Sequence, residues 1–368
     1  MKEYFSQKKN LWFIKKIYLI LLISFFNYDF LKFKNKDDIP KFKFNEVKSF
    51  YPGANNFKLN FKKKCGRIFK YKPNNKKDLV IFAYEFQNKS LEHNLFMEIS
   101  IEKNLNSIKK SIPLAHLICF VTIKSLKSKI VSKLIQFGIE IIKIPNSNQK
   151  IVNRRFIESY KYLKKNKKFY ERILLIDLKD VFIFGDIFAT IGQNDFFVNY
   201  NCNKESKNLE NCTKFFKSIN KEWFRKNMNK DNTKKKEVNK FLKIDPTTII
   251  AGVFIGGFKY VFKFLELFSH KLIQFNNKNQ MSKFGYDQIL FNYLFYLGYF
   301  NKFNLKAISC EQRMCFRPQN LLFNKKTTKF FYENSGCSPI LIHKYYPNSW
   351  IRKTKKHFKN LNFSKFLK

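Results

Sequence analysis

Among seven cysteines the sequence has no Cys-x-x-Cys pair, which excludes a zinc ribbon and a thioredoxin-like redox site. Acidic side chains are scarce, 27 against 72 lysines and arginines, for a formal charge of +45. Such a charge on its own suggests nucleic acid or an anionic membrane surface as partner. Yet there is no zinc finger, no RNP-type aromatic stretch and no arginine-rich arm to carry nucleic-acid binding. The lysines are spread along the whole chain, and Lys, Asn, Phe and Ile are inflated together, Phe alone reaching 46. These residues share A/T-rich codons. Codon bias therefore accounts for the charge better than a nucleic-acid footprint, whose mark would be steep salt dependence of binding.

What is present is a foldable chain. Its 368 residues are 45% hydrophobic and 18% aromatic, enough for one large domain or two small ones and too apolar for disorder. Lys2, Lys8, Lys9, Lys15 and Lys16 precede an apolar run from Ile17 to Phe26. The run is shorter than the ~20 residues of a spanning helix. Snorkelling of Lys15 and Lys16 lets Leu11–Ile14 join it. No small-residue cleavage site follows, so residues 1–30 read as a cytosolic tail and uncleaved signal anchor rather than a cleaved signal peptide. Residues 31–77, rich in Lys and Asn with Pro40, Pro52, Gly53 and Pro73, read as a stem, and 351–368 as a basic tail. Sequons stand at Asn88, Asn211 and Asn362, and the spacings Cys202/Cys212 and Cys310/Cys315 suit small disulfide loops. Buried reduced thiols are the alternative.

From Asp78 onward strands and helices alternate. Leu79–Phe86, Ala115–Thr122, Ile139–Pro145 and Arg172–Ile176 are apolar strand segments. Between them, Asn94–Ile108, Ile123–Phe137 (closed by Gly138) and Arg154–Lys167 have helical spacing. That alternation predicts a doubly wound α/β sheet, whose ligands bind beyond the carboxyl ends of the strands. Beyond Ile176 the chain reads DLKDVFIFGDIF, with Asp177 and Asp180 where a buried strand emerges and Asp186 six residues later. Paired carboxylates there suit a hard divalent ion that also binds substrate phosphate. Helix capping or a solvated turn is the plainer alternative. A phosphatase-type Asp-x-Asp loop does not fit the spacing.

Four blocks in order resemble a eukaryotic family of GT-A nucleotide-diphospho-sugar transferases. The family's D-x-R-D-V-x-F-Q-x-D-P-F stretch is matched by Asp177, Asp180, Val181, Asp186 and Phe188, with Lys179, Phe184 and Ile187 replacing Arg, Gln and Pro. Its N/A-G-V-x-x-G segment corresponds to AGVFIGG from Ala251, and its G-x-D-Q-x-x-x-N helix start to Gly285, Asp287, Gln288 and Asn292. Its C-terminal histidine after a strand corresponds to His343. The resemblance spans roughly Leu79–Trp350.

It implies a single GT-A catalytic domain over 78–350, a Rossmann-like, doubly wound mixed sheet, with a variable acceptor-side loop at about 201–243. It implies transfer of a sugar from a UDP- or GDP-linked donor to a glycan, protein or lipid acceptor, with Mn²⁺ or Mg²⁺, in the endoplasmic reticulum or Golgi lumen. Asp180, Asp177 and His343 are the expected metal ligands. Asp177 acts directly, through water, or on the ribose hydroxyls. A satisfied strand histidine is the alternative for His343. Lys344 is expected on the diphosphate, Gly252 and Gly256 beside the donor, with tight helix–strand packing the alternative for these glycines, and Asp287 and Gln288 near the reacting sugar. The bland role of Asp287 is a helix N-cap. Two other readings remain: a catalytically degenerate GT-A domain serving as a scaffold, and a basic nucleic-acid-binding protein.

Overall fold

A computed structural model of the chain describes residues 58–86, 91–167, 169–201, 214–218, 221–228, 235–244, 246–316, 321–324, 329–332 and 335–344. The expected anchor, the stem up to residue 57, the three sequons, the Cys202/Cys212 loop and the basic tail lie outside these residues. Among the described residues no helix is long and apolar enough to cross a membrane.

The elements run β1 (Lys58–Leu59), β2 (Asp78–Tyr84), α1 (Leu91–Ser111), β3 (His116–Thr122), α2 (Lys129–Gln136), β4 (Glu140–Ile144), α3 (Ile151–Lys165), β5 (Arg172–Ile176), β6 (Val181–Ile183) and β7 (Phe196–Tyr200). Three helices follow, α4 (Phe215–Ser218), α5 (Lys221–Met228) and α6 (Lys235–Ile244). Then come β8 (Ile249–Gly257), α7 (Phe258–Gln274), α8 (Tyr286–Tyr296), β9 (Leu305–Ile308), β10 (Met314–Phe316), β11 (Leu321–Asn324), β12 (Lys329–Tyr332) and β13 (Leu341–His343).

Seven strands form one mixed sheet in the order β4-β3-β2-β5-β8-β7-β9. β8 runs antiparallel to both its neighbours, while the other pairings are parallel. Alternation along each strand sorts its side chains between two cores. Leu79, Ile81, Ile173 and Leu175 face α3, α7 and α8; Val80, Phe82, Leu174 and Ile176 face α1 and α2. With both faces covered, the central strands are continuous apolar runs. The amphipathic segment after β3 divides into a short 3-10 turn at Ile123–Ser125 and α2, because Ser128 caps the helix by accepting from the Val131 amide. Gly138, at φ +72°, closes it as the sequence predicts. Two three-stranded sheets complete the fold, β10-β13-β6 and β1-β12-β11.

One domain boundary and one expected loop differ in the structure. Residues 58–77 were expected in the stem, yet they pack on the domain. β1 pairs with β12, Cys65 is buried and disulfide-bonded to Cys337, and Phe61 and Phe69 join the core on the α1 side. Their Lys/Asn-rich composition concealed a segment held by a few apolar anchors and a disulfide. The described parts of the expected acceptor-side loop are helical, and Phe215, Phe224, Val238 and Phe241 are buried in the other core. Cys310 and Cys315 are bonded, as their spacing suggests.

Arg172, at the start of β5, anchors the amino edge of the sheet. Its Nε and Nη2 donate to both carboxylate oxygens of Asp78, at 2.7 and 2.6 Å, and its Nη1 donates to the carbonyls of Lys72 and Phe188, both at 2.7 Å. Both side chains of the pair are buried. Asp78→Ala is expected to strand the guanidinium and cost about 3–5 kcal/mol, read as a lowered urea midpoint.

Candidate metal centre

The strand order reverses around β2, with β3 and β4 to one side and β5 to the other, so the crevice lies beyond the carboxyl ends of β2 and β5. Asp177 is the first residue past β5, and its amide donates to the Gly252 carbonyl at 3.0 Å, continuing the β5–β8 pairing by one step. Asp180 is placed by a different sheet. β6 begins one residue after it and pairs antiparallel with β13, matching Val181 to His343. That register sets Asp180 opposite Lys344, whose amide donates to the Asp180 carbonyl at 2.8 Å. Lys344 adopts φ +58°, a left-handed conformation that non-glycine residues hold only when their surroundings impose it.

Asp177, Asp180 and His343 thereby meet. His343 Nε2 lies 3.3 Å from Asp177 Oδ2 and 3.5 Å from Asp180 Oδ1, and Asp180 and His343 are fully buried. The ligand atoms of all three lie within 4.8 Å of one another. Adjacent ligands around a hard octahedral ion with bonds of about 2.1 Å stand roughly 3 Å apart. Two carboxylates and an imidazole at these separations therefore fit a divalent ion after a small contraction. The Phe316 ring, opposite His343 across β10–β13, packs edge-on to the imidazole at 5.1 Å and fixes its plane.

Charge compensation is extensive. Burial favours the neutral form of Asp177, but Arg155, His343 and Lys344 outweigh it and hold the carboxyl well below the usual range. At Asp180 burial is likewise overcome by His343 and Lys344, despite the repulsion of Asp177. Burial alone would lower the Lys344 ammonium; Asp180 and Asp177 raise it instead. Asp287 goes the other way. Burial pushes it up to about 6, against Arg155 and with help from Asp177.

Arg155 is the site residue that sequence reasoning missed. From α3 it ion-pairs with Asp177 Oδ1, donates to the Ala251 carbonyl and lies 3.4 Å from Asp287 Oδ2. A signal for it existed. Only eight of the 72 basic residues are arginines, and against codon bias toward lysine a helix-borne arginine is a candidate for a place that needs a planar, multidentate donor. Its neighbour Arg154 turns to a separate cavity of about 370 Å³ beside α3, whose lining includes none of the carboxylate-cage residues.

The other expected residues divide. Gly252 belongs to the site, for a reason unlike the expected sugar contact: a Cβ there would sit 2.2 Å from His343 Cε1 and 2.9 Å from Asp177 Oδ2. Gly256 does not. It pairs with Ile173 near the opposite end of β5, and a Cβ would meet the Asp195 carbonyl at 2.5 Å, so close strand packing explains it. Asp287, in the first turn of α8, faces Arg155. Gln288 is engaged by β8: its Oε1 accepts from the Ala251 amide at 2.9 Å and its Nε2 donates to the Ile249 carbonyl. Asn292 binds the Ile249 amide and carbonyl, each at 2.8 Å. These contacts serve the stretch where β8 loses register with β7, so Gln288 positions β8. Asp186 accepts from Asn74 and from the amides of Phe188 and Ala189, a turn-holding role.

No protein-family model matches the sequence, and no curated protein matches it.

Gly252→Ala is expected to push His343 and Asp177 apart, lowering stability by about 1–3 kcal/mol, read as a lowered urea midpoint. The raised Asp287 carboxyl gives a pH-dependent expectation. The native state holds that proton more tightly than the unfolded chain, so its contribution to stability falls as pH rises from about 4 to about 6 and stays low above. Asp287→Asn removes the slope. Urea titrations should show the variant gaining about 2–3 kcal/mol over the parent at neutral pH, and no gain near pH 4.

Proposed function

We propose that the chain is a metal-dependent glycosyltransferase that moves a sugar from a nucleoside-diphosphate donor to an acceptor hydroxyl. The carrying observation is the convergence of Asp177, Asp180 and His343 beyond the carboxyl end of β5, next to the strand around which the order reverses, with Lys344 and Arg155 beside them. The seven-stranded, doubly wound mixed sheet agrees with a GT-A domain. So does the order of the four sequence blocks, which contribute Asp177 and Asp180, Gly252, Asp287 and His343 to the same region. A lumenal location is supported by the two disulfides among the described residues, Cys65–Cys337 and Cys310–Cys315, which persist in oxidising compartments.

A divalent ion held by Asp177, Asp180 and His343 would supply charge neutralisation to the departing diphosphate. The protein's own residues do the rest. Arg155 fixes the rotamer of Asp177 and ties it to the β8 backbone, so the carboxylates are set before substrate arrives. Lys344 adds a positive charge suited to phosphate oxygens. The Asp287 carboxyl, pushed up to about 6, is matched to accepting a hydrogen bond or proton from a sugar hydroxyl near neutral pH. Glycans, proteins and lipids all present such a hydroxyl.

Calorimetric titration of the full-length chain with UDP and GDP, with and without Mn²⁺, tests the reading. Binding should require the ion and weaken at least ten-fold in Asp180→Ala. If the folded protein binds neither nucleotide, the transferase reading falls and a degenerate scaffold domain takes its place.

A further inference from the structure

The two carboxylates of the cage are matched by two cations before any ion enters. Asp177 and Asp180 bring two negative charges, and Arg155 and Lys344 bring two positive ones in direct contact with them. The two cations are placed differently. Arg155 comes from α3 onto Asp177 Oδ1 and leaves Oδ2 facing His343. Lys344 rests on Asp180 Oδ2 and reaches within 3.8 Å of Asp177 Oδ2, the oxygen that also faces His343 Nε2. Its ammonium thus spans the two carboxylates that an ion would need.

An ammonium and a divalent ion cannot share that space. Together with Arg155 they would leave an excess of positive charge among buried groups, even with Asp287 ionised beside Arg155, and there like charges repel strongly and solvent does little to screen them. One of the two must leave. Arg155 is 5% exposed at its side chain and is tied also to Ala251 and Asp287; Lys344 is 27% exposed and carries a flexible four-carbon stem. The lysine is the group with a way out.

Resting on the metal reading above, we propose that Lys344 is a built-in competitor for the divalent cation: ammonium and ion occupy the cage in alternation, and ion binding displaces the side chain toward solvent. The lysine's backbone is pinned to Asp180 in a left-handed conformation, so the side chain always starts from the mouth of the cage. Two properties follow. The site binds divalent ions more weakly than two carboxylates and a histidine otherwise would. The ion-free protein keeps its buried carboxylates compensated.

The test uses the full-length chain and Mn²⁺ alone, without nucleotide. Calorimetry compares the parent with Lys344→Met, which keeps the stem and removes the charge, and with Lys344→Gly, which suits the left-handed backbone and guards against a folding defect. Circular dichroism checks that each protein is folded. Both variants should bind Mn²⁺ at least ten-fold more tightly than the parent. Unchanged or weaker binding in the folded variants overturns the competition and leaves the metal reading standing. No Mn²⁺ binding in any of the three folded proteins overturns both.

Discussion

Three carboxylates gathered at one buried edge repel one another, and the local structure is organised around making that tolerable. Asp177 and Asp180 come from the β5–β6 loop and Asp287 from a helix start, and two cations serve the three: Arg155 meets Asp177 and Asp287, and Lys344 meets Asp180. Arg155 is the joint between them. Its guanidinium touches Asp177 and Asp287 and also takes up the Ala251 carbonyl, which lies in the stretch where β8 loses its register with β7. Remove the guanidinium and two buried charges and a backbone acceptor all lose a partner. The irregularity of β8 follows from the same need. Gly252 must approach His343 and Asp177 more closely than any side chain would permit, so the strand leaves its neighbour there, and Gln288 and Asn292 satisfy the freed backbone groups.

The divergence of the three acids is informative about what each can do. Asp177 and Asp180 are held ionised by adjacent cations, the state in which a carboxylate binds a hard ion. Asp287, with only a longer contact to Arg155, is left nearer neutrality. Neighbouring acids pushed in opposite directions are a common sign of divided labour at a reacting centre.

Much of this could be read in the chain itself, for identifiable reasons. β5 is recoverable residue for residue, because a buried strand has to be uniformly apolar and Asp177 and Asp180 mark its end. His343 stands out as a polar residue closing an apolar segment, and it arrives where the four-block pattern expects. Arg155 escaped because a helix face rich in Phe156, Tyr160 and Leu163 draws attention to packing, while its partners lie 22 and 132 residues away. Gly256 packs closely against β7 and Gln288 holds the β8 backbone, contacts that a motif does not reveal because it records which residue recurs and not what it touches. Local patterning reports on strands and helices; it is silent about pairings such as Val181 with His343, on which the assembled cage depends.

The closure of the domain by distant partners has a temporal consequence. β1 pairs with β12, and Cys65 is bonded to Cys337, 272 residues later. A chain made from its amino terminus on the ribosome thus holds residues 58–65 in waiting while almost the entire sheet is synthesised. The two aspartates of the cage likewise emerge long before His343, which follows Asp177 by 166 residues. Nascent protein can build the central sheet early, but any function that needs the full cage begins only when β13 docks. Translation itself therefore keeps this site silent until the central sheet around it has been made.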